Sequence, residues 1–218
     1  MISDDIDYFT PTNFCAVMGK HGSDKGHAQI DKSWHNYTIV YHELFKNLVN
    51  KKLRIFELGL GTNNTDVKSN MGPNGKPGAS LYGWDELFPN STILGADIDK
   101  RILFQTDRIK TFYCDQTNTD DIKTLWDTPE CLEPFDIIIE DGLHEFDANV
   151  IFFENSIHKL NPDGYYIIED ISVNIFGDFL EKIDEWETKY PDLEFQLVRL
   201  SSNFNSNDNN LLIVHRRV

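Results

Sequence analysis

The chain has 218 residues with 40% hydrophobic and 26% charged content, proportions that are typical of one soluble globular domain. Lys and Arg number 20 against 36 Asp and Glu, so the formal net charge is −16, which argues against a nucleic acid or an anionic membrane as the main partner, because both attract cationic surfaces. The three scattered cysteines fit neither a metal motif nor a disulfide framework, no apolar stretch reaches about 18 residues, and the acidic beginning is unlike a signal peptide, so we expect a cytoplasmic protein without membrane insertion.

Residues 1–52 are predicted to form a helical segment in front of the main domain, which comprises residues 53–218. A polar loop bounded by glycines, at 21–26, precedes a helix expected at Thr38–Asn50. The expected packing anchors of the first part are apolar: Phe9, Phe14, Val17 and Met18.

The loop at 21–26 allows two interpretations. It is either a plain surface turn or a lid over a bound cofactor, in which case Lys25, His35 and Tyr37 would supply polar contacts. The residues by themselves do not decide between the two.

A buried strand followed by a glycine turn is the feature around which the chain is organised. Residues 53–58 are apolar apart from Arg54 and one acid, Glu57, and they lead directly into Gly59 and Gly61. The run predicts a parallel strand, and glycines after it allow a ligand to approach the backbone closely. In an open α/β sheet, ligands bind at this end of the strands.

Two classes of cofactor use such a turn. A dinucleotide-binding fold places a third glycine where this chain has Asn64, so that pattern is incomplete. An acid at the end of the second strand commonly accepts hydrogen bonds from ribose hydroxyls, and either Asp97 or Asp99 stands in that place. Glu57 before the glycines, with a later aspartate, resembles the S-adenosylmethionine-dependent methyltransferases of the Rossmann-like class.

A long run without predicted structure, at 62–78, follows the glycine turn. Such a run is uncommon inside a compact domain and is usually functional or disordered. Its position favours a loop that covers the cofactor or shapes the substrate pocket, and the residues leave that role open.

The remaining chain alternates helices and strands. Five strands should be parallel because right-handed crossovers connect them, and the last should be antiparallel to its neighbours. We therefore predict an α/β fold with the Rossmann-like, seven-stranded, mostly parallel sheet of methyltransferases. The predicted helices lie at 79–87, 120–126, 147–160 and 176–190, and the later strands at 92–96, 109–114, 133–140, 165–170, 194–200 and 211–215.

Four polar side chains lie at the ends of the fourth and fifth strands: Asp141, His144, Glu169 and Asp170. Carboxylates that converge repel one another unless a cation holds them, and oxygen ligands suit Mg²⁺, Mn²⁺ or Ca²⁺. The alternative is that strand ends are polar and that these acids merely cap helices. The alignment of four such groups at adjoining strand ends favours a site.

Taken together, these motifs resemble the metal-dependent sugar O-methyltransferases, of which the macrolide deoxysugar enzymes are the best understood. The family usually has Asp and Ser where this chain has Glu140 and Leu143, and Leu143 is expected to change the pocket lining rather than the chemistry. The likeness is carried by segments at 22–26, 56–61, 78–81, 95–98, 115–116, 136–144 and 164–170.

The resemblance implies two sets of site residues. Asp141, Glu169 and Asp170 would be the ligands of Mg²⁺ or Mn²⁺, and His144 would be the general base beside Asp141. The implied contacts to S-adenosylmethionine are Glu57, Gly59, Gly61, Thr62, Ser80, Asp97, Asp99, Asp115, Gln116, Lys25 and Tyr37.

The leading hypothesis is an S-adenosylmethionine-dependent, Mg²⁺-assisted O-methyltransferase. Its substrate would be a sugar or a saccharide-linked small molecule, in surface polysaccharide or natural-product biosynthesis. The alternatives are an NAD-dependent oxidoreductase, which Asn64 and the acid cluster argue against, and a non-catalytic S-adenosylmethionine-binding module, which His144 argues against. The sequence names neither the acceptor hydroxyl nor the divalent metal, and it leaves a homo-oligomer open.

Overall fold

A seven-stranded sheet forms the centre of the computed structural model, which describes residues 1–3, 6–29 and 32–218. The parts of the expected N-terminal segment at 4–5 and 30–31 lie outside the described residues. The strands are β1 (Arg54–Leu58), β2 (Thr92–Asp97), β3 (Ile109–Tyr113), β4 (Phe135–Glu140), β5 (Leu160–Ile168), β6 (Leu193–Arg199) and β7 (Asn210–Arg216).

The sheet order is β3-β2-β1-β4-β5-β7-β6. The strands from β3 to β5 in this order pair in parallel, whereas β7 is antiparallel to both β5 and β6. This arrangement confirms the predicted Rossmann-like sheet with its antiparallel closing strand.

Helices cover both faces of the sheet. Within the described residues, none of them has both the length and the apolar character needed to cross a membrane. They are α1 (Asn13–His21), α2 (Tyr37–Phe45), α3 (Ala79–Leu87), α4 (Thr119–Trp126), α5 (Phe146–Ser156) and α6 (Phe176–Lys189).

The two faces of the sheet carry separate cores, because side chains alternate along each strand. Ile55 of β1 packs with α1, α2 and α3 on one face, and Phe56 packs with α4, α5 and α6 on the other. The predicted anchors in α1 are buried, but Phe9 is 47% exposed, so its prediction as an anchor is wrong.

Strand β5 starts earlier than predicted. The predicted strand begins at residue 165, whereas β5 begins at Leu160 and includes Pro162 and Gly164. The pairing shifts between Phe135–Leu160 and Ile137–Tyr165, so the extra residues are accommodated as a bulge.

Parallel pairing brings the carboxyl ends of β1, β2, β4 and β5 to one edge of the sheet. Leu58 is paired with both Ala96 and Glu140, and Glu140 is paired with Ile168. The residues that follow these strands therefore meet at the same place, which is where ligands bind in open α/β sheets.

Candidate functional site

The glycine turn after β1 is tightly packed against the end of β4. Gly59 and Gly61 have φ angles of 86° and 72°, which side-chain-bearing residues rarely adopt. A Cβ atom on Gly59 would lie 1.7 Å from the backbone oxygen of Asp141, and one on Gly61 would lie 2.3 Å from Sδ of Met71. The close approach at Gly59 is therefore between two backbone segments of the protein, the glycine turn and the end of β4.

An open cleft with about 810 Å³ of empty space, including its mouth, lies at this edge of the sheet. Its walls come from the glycine turn, the ends of β2 and β3, part of the loop at 62–78 and the residues after β4 and β5. The predicted residues among its lining are Gly59, Gly61, Thr62, Asp97, Asp115, Gln116, Asp141, His144 and Asp170.

The two candidate ribose acceptors have different positions. The carboxylate of Asp97 accepts the backbone N–H groups of Leu60 and Asp99, both at 2.7 Å, and it also faces the cleft. Burial raises the pKa of Asp97, although the two backbone donors act against it. Asp97 therefore holds the glycine turn and still presents oxygen lone pairs to a ligand.

Asp99 is bound by its own neighbours instead. Its side chain accepts from Thr62 Oγ1 at 2.6 Å, from Asn64 Nδ2 at 2.8 Å and from Arg101 Nε at 2.7 Å. The Arg101 donor, together with these hydrogen bonds, holds the pKa of Asp99 below its usual range. It does not line the cleft, so the geometry favours Asp97 over Asp99 as the ribose acceptor.

Glu57 lies beneath the turn and is fully buried. It accepts from Ser80 Oγ and from Trp84 Nε1, both at 2.5 Å. Burial raises the pKa of Glu57, although Lys25, whose Nζ lies 3.5 Å away, acts against it. Ser80 borders a smaller cavity beside the turn, shared with Gly59 and Gly61.

Gln116 braces the loop that follows β4. Its Nε2 donates to Glu140 at 3.0 Å, and its Oε1 accepts the backbone N–H of Leu143 at 2.6 Å. Glu140 is fully buried and also accepts from Asn149 Nδ2. Gln116 thus both lines the cleft and fixes the chain that carries His144, whereas Asp115 is half-buried at the cleft wall and accepts from Thr117.

The loop at 62–78 closes one side of the cleft. The backbone N–H of Met71 donates to the oxygen of Thr62, and Ser69 Oγ donates to the oxygen of Leu143 at 2.9 Å. At its exposed side, Lys68 forms an ion pair with Glu145. The loop is therefore attached to the segment after β4.

Asp141, His144 and Asp170 converge at the mouth of the cleft. His144 Nε2 lies 3.1 Å from Asp141 Oδ1 and 3.4 Å from Asp170 Oδ2, and each of the three residues offers a ligand atom within 4.8 Å of those of the other two. His144 and Asp170 have φ angles of 59° and 54°. Left-handed backbone at residues other than glycine is costly and is concentrated at functional sites.

The charge balance at the mouth favours the imidazolium. Burial would lower the pKa of His144, but its hydrogen bond to Asp141 and the charge of Asp170 outweigh burial and raise that pKa to about 10. Burial raises the pKa of Asp170, although the charges of His144 and His35 act against it.

Glu169 does not join this group. Its Oε2 accepts from Lys25 Nζ at 2.5 Å, and its Oε1 accepts from Tyr41 Oη. Burial raises the pKa of Glu169 well above its usual value, although Lys25 acts against it. Both residues follow β5, and here Glu169 points into the core whereas Asp170, with its left-handed backbone, faces the cleft.

Lys25 lies beneath the cleft and not in its wall. It is 2% exposed, and its Nζ bonds Asp141 Oδ2 and Glu169 Oε2, each at 2.5 Å. Burial would lower the pKa of Lys25, but the charges of Asp141, Glu169 and Glu57 outweigh it and raise that pKa well above its usual value. Lys25 is therefore a buried cation among three carboxylates.

Tyr37, also predicted as a cofactor contact, supports Asp170. Its hydroxyl donates to Asp170 Oδ1 at 2.7 Å, and His35 Nε2 lies 3.3 Å from the same oxygen. Both side chains are buried and stacked on one another, with ring centroids 4.6 Å apart. The segment around α2 thus supports Asp170 at the edge of the cleft. Asn205, in the loop between β6 and β7, contacts His35 in turn.

The donor atoms at the mouth fit a hard divalent cation. Mg²⁺ is commonly held by one or two carboxylates and keeps several waters, and Asp141 Oδ1 with Asp170 Oδ2 offers such a pair. Imidazole nitrogen is a less typical ligand for Mg²⁺ than oxygen, so His144 suits a role beside the ion. Glu169 could join only if it shared or released the bond to Lys25.

Comparison with known proteins places these features in context. No family model matches the chain. It is 28% identical over 168 residues to 8-demethyl-8-alpha-L-rhamnosyl tetracenomycin-C 2'-O-methyltransferase of Streptomyces olivaceus, which covers 76% of this chain and 39% of that protein. It is 31% identical over 161 residues to the 3'-O-methyltransferase that acts on the 2-methoxy-rhamnosyl compound in the same organism, covering 74% of this chain and 37% of that protein.

Solved structures agree on the fold. The MycE methyltransferase of the mycinamycin pathway, solved with Mg and SAH, superposes with a TM-score of 0.69 at 20% identity over 96% of this chain and 56% of that one. The O-methyltransferase TomG of Streptomyces achromogenes, solved with SAM, has a TM-score of 0.59 at 10% identity over 93% of this chain. The expected resemblance is confirmed, and the chain spans less than two-fifths of the length of the two curated relatives.

Proposed function

Because the chain has the fold of the class I, S-adenosylmethionine-dependent methyltransferases and is similar in sequence to sugar O-methyltransferases, we propose that it methylates a hydroxyl group with S-adenosylmethionine and a divalent cation. One observation carries the proposal. Asp141, His144 and Asp170 converge at the mouth of the same cleft whose wall contains the glycine turn and Asp97.

For the acceptor we propose a sugar hydroxyl on a small molecule. The relatives named above act on rhamnosyl compounds, and two neighbouring sugar oxygens would suit a cation that keeps open positions. A role in surface polysaccharide formation has no support from these relatives. These relatives also give no support to an NAD-dependent oxidoreductase or to a non-catalytic binding module.

The cofactor would lie along the glycine turn. Asp97 would accept hydrogen bonds from the ribose hydroxyls, and the backbone at 59–61 would approach the amino-acid part of the cofactor. Asp115 and Gln116 would border its adenine. In this position the loop at 62–78 excludes water from one side of the cleft. Holding the sulfonium methyl and the acceptor oxygen about 3 Å apart and in line would supply much of the rate gain.

Asp141 and Asp170 would hold Mg²⁺ or Mn²⁺, and when bound the ion supplies Lewis acidity that makes an acceptor hydroxyl easier to deprotonate. In the transfer, the methyl carbon leaves sulfur and bonds to the acceptor oxygen, while the hydroxyl proton passes to His144. His144 would be neutral at this point, because a bound cation offsets the charges of Asp141 and Asp170 that raise its pKa in the ion-free protein. Nε2 is the atom of His144 that faces both carboxylates. It is therefore the atom that would accept a proton from a hydroxyl placed between them.

Turnover with labelled S-adenosylmethionine and a panel of glycosides tests the proposal. We expect methyl transfer that requires a divalent cation and stops on chelation. Replacing His144→Ala should lower kcat by about 10²–10⁴-fold, the usual effect of a lost general base, with cofactor affinity retained. Activity that survives thorough chelation would refute the cation requirement, and normal turnover by the variant would place the base elsewhere.

The remaining expectations stay predictions. A cytoplasmic location, a homo-oligomer and a division of the chain at residue 53 each need their own measurement. We propose that the described part of residues 1–52 covers the inner side of the site, because Lys25, His35 and Tyr37 all contact its carboxylates.

A further inference from the structure

The acid cluster contains more donors than a cation site requires. Both oxygens of Glu169 are already bonded, one to Tyr41 and one to Lys25. The two oxygens of Asp141 have different partners, because Oδ2 bonds Lys25 and Oδ1 faces His144. The ion pairs of Lys25 are with Glu57, Asp141 and Glu169, whereas Asp170 turns Oδ2 toward His144.

Lys25 is held firmly in this position. The backbone N–H of Thr38 donates to its carbonyl oxygen at 3.1 Å, and its own N–H donates to Ser23 Oγ at 3.3 Å. A Cβ atom on the next residue, Gly26, would lie 1.8 Å from Thr38 Oγ1, so the segment packs directly on the start of α2. The ammonium group of Lys25 is therefore fixed in its place within the core.

We propose, resting on the cation site of the proposed function, that Lys25 is a positioning residue that competes with the divalent cation for Glu169 and for one oxygen of Asp141. Its ammonium keeps Glu169 away from the ion, so the ion is held by Asp141 Oδ1 and Asp170. Two positive charges a few ångströms apart in a buried site repel strongly. Lys25 therefore lowers cation affinity while it stabilises the carboxylates when no ion is bound.

The first test uses Glu169→Gln, which keeps the shape of the side chain and its contact with Tyr41. Calorimetric titration of the chelator-treated full chain with Mg²⁺ alone should give a dissociation constant within about threefold of the unchanged protein, because Glu169 is withheld from the ion. In contrast, Asp170→Asn should weaken binding at least tenfold. A tenfold or greater loss with Glu169→Gln would show that Glu169 is a ligand while Lys25 is present, and would overturn the proposal.

The second test removes the ammonium with Lys25→Met, a replacement of similar length. Affinity for Mg²⁺ should rise at least tenfold, and adding Glu169→Gln to this variant should reverse the gain, which makes the two positions non-additive. A purely structural role for Lys25 predicts weaker binding in the variant, and that result would also overturn the proposal. If Lys25→Met does not fold, Glu169→Gln alone decides.

A matched control separates local from overall charge. Lys20→Met removes the same charge from an exposed lysine paired with Glu86, and it should leave Mg²⁺ affinity unchanged. The control on Asp170 separates the two proposals. Unchanged Mg²⁺ binding in Asp170→Asn would refute the cation site itself, whereas loss in both Asp170→Asn and Glu169→Gln would refute only the role of Lys25.

Discussion

At the scale of single residues, the cleft distinguishes side chains that share a motif. Asp97 and Asp99 are two positions apart, yet one faces the cleft and the other is tied to Thr62, Asn64 and Arg101. Of these two neighbouring acids, Asp97 is therefore the one that can reach a ligand in the cleft.

Substitution of these two acids should affect cofactor binding unequally. Asp97→Asn should weaken the affinity for S-adenosylmethionine by about 1–3 kcal/mol, because charge-assisted hydrogen bonds to ribose are lost. Asp99→Asn should have a smaller effect, through Thr62 alone. Calorimetric titration measures both affinities, with circular dichroism to verify folding, and an equal or larger loss in Asp99→Asn would assign the ribose to that residue.

The raised pKa of His144 predicts a pH dependence of stability. In the ion-free protein this pKa is about 10, above the usual value of about 6.5 in an unfolded chain. The stabilisation by His144 is therefore fully present below about pH 6.5 and is lost as pH rises toward 10.

Urea unfolding of the chelator-treated protein measures this effect. Relative to His144→Gln, the free energy of unfolding of the unchanged protein should fall between these pH values, with a limiting slope of about 1.4 kcal/mol per pH unit for one proton. Mg²⁺ should flatten the difference, because the ion shares the carboxylates that support the imidazolium. Parallel pH profiles for the two proteins would mean that His144 is not charged in the fold.

At the scale of elements, the loop at 62–78 is a wall of the cleft and not a free connection. It is fixed at both ends by backbone hydrogen bonds, from Met71 to Thr62 and from Gly78 to Leu60. Between them, Ser69 and Lys68 attach it to the segment after β4.

Exchange of charges tests whether this attachment keeps the cleft closed. Lys68→Glu places two like charges together and should weaken S-adenosylmethionine binding by up to about 1 kcal/mol, the usual limit for exposed pairs. The double variant with Glu145→Lys should recover the affinity, which stopped-flow or calorimetric titration can measure. Failure of the double variant to recover would show that Lys68 contributes through the ligand itself and not through Glu145.

At the scale of the whole molecule, the N-terminal helices α1 and α2 form, together with α3, one of the two layers that cover the sheet. Side chains of α1 and α2 belong to the same core as Ile55 and Ile137. Lys25 and Tyr37, in the same part of the chain, bond the carboxylates after β4 and β5. The cofactor site, these carboxylates and the outer layer are thus parts of one packed unit, and a ligand in the cleft should stabilise all of it.

Thermal unfolding should therefore report ligand binding. A ligand at 100 times its dissociation constant stabilises the folded state by about 2.7 kcal/mol, so S-adenosylmethionine or its demethylated product should raise Tm by several degrees. NAD at the same concentration should leave Tm unchanged. A shift with NAD and none with S-adenosylmethionine would favour the oxidoreductase hypothesis.

The order of elements could be predicted because it depends on local patterns. Apolar runs of strand length, helical spacing and the glycines after β1 each act over a few residues, and the resulting strands lie within a few residues of their predicted positions. The convergence of Asp141 and Asp170 followed as well, since parallel strands end at one edge of the sheet.

Only the tertiary structure decided where the neighbouring side chains point. Lys25 sits in a glycine-bounded loop that the sequence leaves open as a surface turn or a lid, but the carboxylates of three distant segments surround it and keep it charged in the core. Glu169 and Asp170 are adjacent in sequence, yet Glu169 turns to Lys25 in the core and Asp170 faces the cleft. Such partners come from separate elements, and their choice depends on distances and charges that no local pattern contains.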